Sequence, residues 1–130
     1  MNFLEIVLLF VGLILILFFL YKLSSGKKLS SEIIKKYSAK ILATKKLEPA
    51  HAIMESHKIF TAAIGTLFSD KKLTAAKKIA RVQKKFPNHK QIWRHHKLRN
   101  QVAHQTDVKV LSVQAELARK DFIRALQSLG

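Results

Sequence analysis

Every residue from 6 to 20 is apolar or glycine, and only Glu5 and Lys22 interrupt the wider span 3–23. About 20 residues of helix cross the hydrocarbon core of a bilayer, so this span is long enough to do so. A cleaved signal peptide is the other use of such a run. It wants a basic first region and a small-residue cleavage site, whereas this N-terminus carries Glu5 and no Lys or Arg before residue 22. The expectation is an uncleaved transmembrane anchor over residues 1–23. A polar hinge follows at 24–28, and the remaining hundred or so residues are enough for one small domain.

Charge adds an orientation and a class of partner. All 24 Lys and Arg residues lie at or after Lys22, and Lys22, Lys27, Lys28, Lys35 and Lys36 follow the apolar run closely. The positive-inside rule then predicts a single-pass protein of the cytoplasmic membrane, N-terminus out and C-terminal domain in the cytoplasm. The absence of Cys is compatible with a reducing compartment. Beyond the anchor, 24 cationic side chains face seven carboxylates, a formal +17. Such an excess attracts polyanions, and two are at hand: nucleic acid and the anionic leaflet beside the anchor.

Past the hinge the sequence reads as helices, with no sustained period-2 alternation and two prolines. Leu29, Ile33, Tyr37 and Ile41 recur every four residues, which predicts an amphipathic helix over 29–44. With Lys35, Lys36 and Lys40 on its other face, residues 29–46 form a basic juxtamembrane segment, free to pack on the domain or on the membrane. Pro49 suits the first turn of the next helix. Ile53, Phe60, Ile64, Leu67 and Phe68 form its apolar stripe, interrupted by His57, while Ala52, Ile59, Ala62 and Ala63 offer a second face. A third helix is predicted over 71–86, with Leu73, Ala76, Ile79, Ala80 and Phe86 inward. Asn88 and Gln91 suggest a capping box for a fourth. Ser112 is placed to cap a last helix with Leu117, Phe122, Ala125, Leu126 and Leu129 inward. The predicted fold is all-α: a transmembrane helix, then an antiparallel bundle of four or five helices over 47–130, small enough for dimerisation to help its core.

The fourth helix holds the chemistry. At 100° per residue, Arg94, Lys97, Gln101 and Gln105 face outward, whereas Ile92, Leu98, Val102 and Ala103 face inward. His95, His96, Arg99 and Asn100 fall among the inward residues, and His104 lies at their margin. A guanidinium there is costly unless it is paired or faces a wet cleft. Glu55 and Asp107 are the carboxylates that could pair with Arg99, the histidines then being satisfied core residues. No carboxylate or Cys is spaced to complete a metal site with His95 and His96, so neither metal nor cofactor is expected.

Arg99-Asn100-Gln101-Val102-Ala103-His104 resembles the signature of HEPN domains, small helical bundles whose active site is marked by Arg, four to six residues, then His. Three stretches, PAHAIMESHKIF (49–60), IWRHHKLRNQVAH (92–104) and the closing helix, also resemble a group of single-anchor membrane proteins of candidate-phyla bacteria. In that group Ala52, Ile53, Glu55, Lys58, Trp93, His96, Lys97, Arg99, Asn100, Ala103 and His104 match position by position. The resemblance covers most of 49–130, with one departure: Gln105 stands where an acidic residue often follows the His. From that group no activity carries over.

The wider HEPN resemblance implies metal-independent cleavage of RNA by attack of the substrate's own 2′-hydroxyl. It makes His104 the general base or acid. Arg99 becomes the stabiliser of the scissile phosphate, and Asn100 holds the phosphate or orients His104. Glu55 and Lys58, one turn apart, read from the residues as a surface ion pair; the resemblance allows them, with His96, a supporting role. Trp93 reads as a core or dimer contact, with base stacking as the lesser use. The resemblance further implies a homodimer through the helix carrying Arg99 and His104, with RNA as partner and an antitoxin or other regulator left unidentified. The rival expectation is a non-catalytic bundle of the same shape, tethered to the membrane for dimerisation or RNA binding, because fold does not establish function.

Overall fold

The computed structural model describes residues 1–24 and 26–130, without the side chains of residues 23 and 24. Ser25, in the expected hinge, lies outside the described residues. Among the described residues the protein is all-helical. Helix α1 (Phe3–Ser24) comes first. Its stretch Phe3–Lys22 has a mean hydropathy of 3.1 and is long and apolar enough to cross a membrane. Its large side chains stand exposed all round, from Phe3 and Leu4 to Phe18 and Phe19. A helix apolar on every side needs an apolar surrounding.

The bundle follows as α2 (Ser31–Ala43), α3 (Pro49–Gly65), α4 (Ala75–Val82), α5 (His89–His104) and α6 (Ser112–Ser128), with single 3-10 turns at Thr44–Lys46 and Gln83–Lys85. Ser30 caps α2 by accepting from the backbone N–H of Ile33 at 3.2 Å, satisfying a donor the helix cannot. Ile41 is fully buried, and Ile33, Ile34 and Tyr37 pack against the core. Leu29 N–H donates to Leu129 O at 2.8 Å, tying the entrance of α2 to the end of the chain. Residues 29–46 therefore belong to the bundle: α2 packs on α3 and α6.

Helix α3 is central, touching α2, α4, α5 and α6. Its buried residues Ala52, Ile53, Phe60, Ala63 and Ile64 surround much of its circumference, as its two apolar faces predicted, although Ala62 is exposed. The core closes on α6, where the Phe122 ring stacks on Phe60 with centroids 4.6 Å apart. Phe86 completes the aromatic cluster at 5.9 Å from Phe60.

Four local expectations need correction. Residues 71–74 are not helical. Asp70 Oδ1 accepts from Lys72 N–H at 2.9 Å and turns the chain, and Thr74 then caps α4 through Lys77 N–H. The inward stripe accordingly runs Ile79, Val82, Phe86, leaving Ala80 exposed. Asn88 does not cap α5 with its side chain; its Nδ2 donates across the core to the backbone oxygen of Asp121 at 3.0 Å. Helix α6 starts one residue early, with Leu111 at the cap position and its N–H donating to Gln114 Oε1 at 2.8 Å. Leu117 is exposed, and Ala118 occupies the inward position.

Phe122 and Phe60 are wholly buried and in ring contact. Phe122→Ala is expected to cost about 3–5 kcal/mol of stability. Chemical denaturation of the detergent-solubilised protein, followed by circular dichroism, measures it.

Candidate functional site

Helix α5 carries polar groups on the face that meets α3 because its apolar residues are too few to cover it: Ile92 is buried, whereas Leu98 and Val102 are only partly so. Arg99, Asn100 and His96 are half-buried there. They join in one chain of hydrogen bonds that ends inside α3. Arg99 Nη1 donates to Asn100 Oδ1 at 3.0 Å. Asn100 Nδ2 lies 3.2 Å from His96 Nε2, and His96 Nδ1 lies 2.8 Å from His57 Nε2.

The proton positions follow from the one group that can only donate. A guanidinium has no acceptor, so the Asn100 oxygen must face Arg99 and its NH2 must face His96. His96 Nε2 therefore accepts, and in a neutral ring the proton sits on Nδ1. That proton is donated to His57 Nε2, which leaves His57 its own proton on Nδ1. Both rings are held neutral. Burial, then His96 and Arg99, push the His57 pKa down from 6.5 to about 3. Burial, then Arg99, lower His96 as well. His57 packs edge-on against Phe122 at 6.0 Å, and Trp93 stands edge-on to His96 at 5.6 Å while its Nε1 donates to Gln83.

Arg99 has no carboxylate partner among the described residues. Neither Glu55 nor Asp107 forms an ion pair with it, and its Nε is buried without any hydrogen-bond acceptor. Glu55 Oε1 lies instead 4.0 Å from His51 Nε2. Lys58 is exposed and makes no ion pair with Glu55. His104 is exposed on the last turn. An open depression along α5 is lined by Trp93, His96, Lys97, Asn100 and His104, among others. Arg99 does not line it. The structure thus gathers Arg99, Asn100 and His96 into one network and places Asn100 and His104 on one surface. Arg99 meets the surface that carries His104 only through Asn100.

One participant was missed from the sequence. His57 was visible only as an interruption of the apolar stripe of α3, with nothing to show that it meets His96 thirty-nine residues later. His95 is buried, and its Nε2 donates to Asp121 Oδ2 at 2.6 Å; this is the satisfied core histidine the sequence allowed for, with an unforeseen partner. Among the described residues no three His, Cys, Asp or Glu side chains gather as metal ligands.

What the arrangement can do is bind an anion. An unneutralised guanidinium, two neutral rings and a buried donor without an acceptor favour an incoming oxyanion, which would make charge-assisted hydrogen bonds there.

The depressed His57 and His96 predict a pH-dependent fold. A His whose folded pKa lies below its unfolded value takes up protons on unfolding, so stability is full above about pH 6.5 and falls as pH drops toward 3. For His57 alone the loss between pH 6.5 and 5 is about 2 kcal/mol. Denaturation midpoints at the two pH values measure it, and His57→Gln is expected to flatten most of the slope.

No family model matches this chain, and it matches neither a curated protein nor a solved structure.

Proposed function

We propose that this is a membrane-anchored, HEPN-like protein that binds RNA phosphodiesters on the α5 face and cleaves them without a metal ion. The observation that carries this reading is Arg99: a half-buried guanidinium held by an amide, with no carboxylate of the described residues within ion-pair distance. A structural arginine normally has its counter-charge in the protein; this one leaves the role to a ligand. The resemblance of the Arg99–His104 segment to the HEPN signature supplies the ligand class, and the formal +17 beyond the anchor favours a polyanion.

In the proposed reaction the 2′-hydroxyl oxygen attacks the adjacent phosphorus. The 5′-oxygen of the next nucleotide leaves with a proton, giving a cyclic phosphate end and a 5′-hydroxyl. His104 takes the proton from the nucleophile or supplies it to the leaving oxygen. Arg99 stabilises the charge that grows on the non-bridging oxygens, and Asn100 fixes the guanidinium fork. Because Arg99 does not line the depression that holds His104, the working site is a homodimer packed along α5, where Leu98, Val102 and Ala103 leave apolar surface uncovered. Helix α1 anchors the protein in the cytoplasmic membrane, and the positive-inside rule puts the bundle in the cytoplasm.

One observation favours a second reading. Arg99 does not itself line the depression that holds His104 and meets it only through Asn100. A non-catalytic module that dimerises or binds RNA at the membrane would need no convergence of the two.

Full-length protein in mild detergent, incubated with mixed cellular RNA and EDTA, separates the readings. The nuclease is expected to cleave, and Arg99→Ala and His104→Ala are each expected to lower the rate at least about 100-fold with helicity retained. RNA binding without cleavage selects the module. Cleavage that persists in both variants overturns the assignment of Arg99 and His104.

A further inference from the structure

A second basic site lies where the chain leaves its apolar helix. A pocket of about 340 Å³ opens beside Gly26, with the cations Lys27, Arg81 and Lys85 on its walls. Leu67, Phe68 and Val82 give it an apolar side. Two of the cations have contacts that direct them toward the pocket. Lys85 Nζ reaches Lys27 O at 3.5 Å, and it sits so close to Gly26 that a Cβ there would stand 2.8 Å from it. The Arg81 guanidinium lies over the Phe68 ring, 5.4 Å from its centroid. Among the described residues no carboxylate comes within ion-pair distance of the three. Asp70 also lines the pocket, but its carboxylate accepts from the backbone of Lys72. Three cations therefore face one carboxylate, an oxygen of which accepts from the Lys72 backbone.

Position identifies the ligand. The membrane-spanning stretch ends at Lys22, and Gly26 follows four residues later. Four residues reach at most about 14 Å, and the polar headgroup layer is about 5–8 Å deep on each side of the hydrocarbon. Whatever path the connection takes, Gly26 lies in that layer or just beyond it. We propose that this pocket binds the phosphate of an anionic phospholipid, with Lys27, Arg81 and Lys85 on its oxygens and Leu67, Phe68 and Val82 against the glycerol and first acyl carbons. The site holds the bundle against the membrane at a fixed point. It is separate from the α5 face and rests on the reading of α1 as an anchor.

The test uses the full chain in lipid nanodiscs, either all phosphatidylcholine or with one part in five phosphatidylglycerol. Incorporation into the neutral discs reports the anchor by itself, and failure there overturns the membrane reading together with this site. In incorporated protein the anionic lipid is expected to raise the thermal midpoint of the bundle by about 4 °C or more. Arg81→Gln combined with Lys85→Gln is expected to abolish most of that rise. Lys45→Gln with Lys46→Gln removes equal charge at the far end of α2, about 20 Å from its start, and is expected to preserve it. An equal loss in both pairs would mean diffuse attraction and would overturn the site. So would no dependence on lipid charge, or the same rise produced in neutral discs by millimolar inorganic phosphate. A loss of RNA binding in the Arg81/Lys85 pair with the lipid effect intact would reassign the pocket to RNA and overturn it too.

Discussion

Phe122 is the point at which the hydrophobic core and the polar face of α5 depend on each other. Its ring stacks on Phe60 and stands edge-on to both His57 and His95. The same residue therefore seals the aromatic core and forms the apolar wall behind two histidines. Burial against that wall is the leading reason His57 stays neutral. The hydrogen-bond chain from Arg99 inward exists in its present form because α6 packs Phe122 where it does.

The second constraint is a shortage of carboxylates. With eight acidic residues against 24 basic ones, there are too few carboxylates to pair with most of the cations. The acid set into the bundle wall, Asp121, is already shared between His95 and the Asn88 amide. Arg99 is left with the oxygen of a neutral side chain. A guanidinium held by an amide is fixed in direction without being neutralised, and this separates orientation from charge balance. A site for an oxyanion needs that separation, because a carboxylate would have to be displaced before the ligand could bind.

Much of the fold could be read from periodicity because the signals were local. The apolar run of α1, the fourfold spacing of Leu29, Ile33, Tyr37 and Ile41, and Pro49 at the start of α3 each act within one or two turns. The misplacements at Leu117 and Ala80 share a cause: each stands 100° round its helix from a buried neighbour, Ala118 or Ile79, and so falls outside the stripe that packs inward. The starts of α4 and α6 were missed because Thr74 and Gln114 set them instead of the more obvious candidates. Arg99, Asn100 and His96 were legible as polar residues on an inward face. Their actual partner was not, because the encounter of His96 with His57 is made by the packing of α5 on α3, to which no short-range pattern refers. The same holds for Asn88, whose amide is taken by Asp121 from the far side of the core.

The hydrogen bonds running inward from Arg99 have a polarity, and one atom sets it. The Asn100 amide presents its oxygen to the guanidinium and its hydrogens to His96, so every later link donates toward α3. An aspartate at this position, nearly identical in shape, would offer oxygens on both sides. His96 would have to turn its proton outward, and the lone pairs of His96 Nδ1 and His57 Nε2, 2.8 Å apart, would then oppose each other unless His57 moved its proton as well. Deamidation of Asn100 would therefore supply Arg99 with its missing counter-charge and reverse the direction of the chain in a single chemical event.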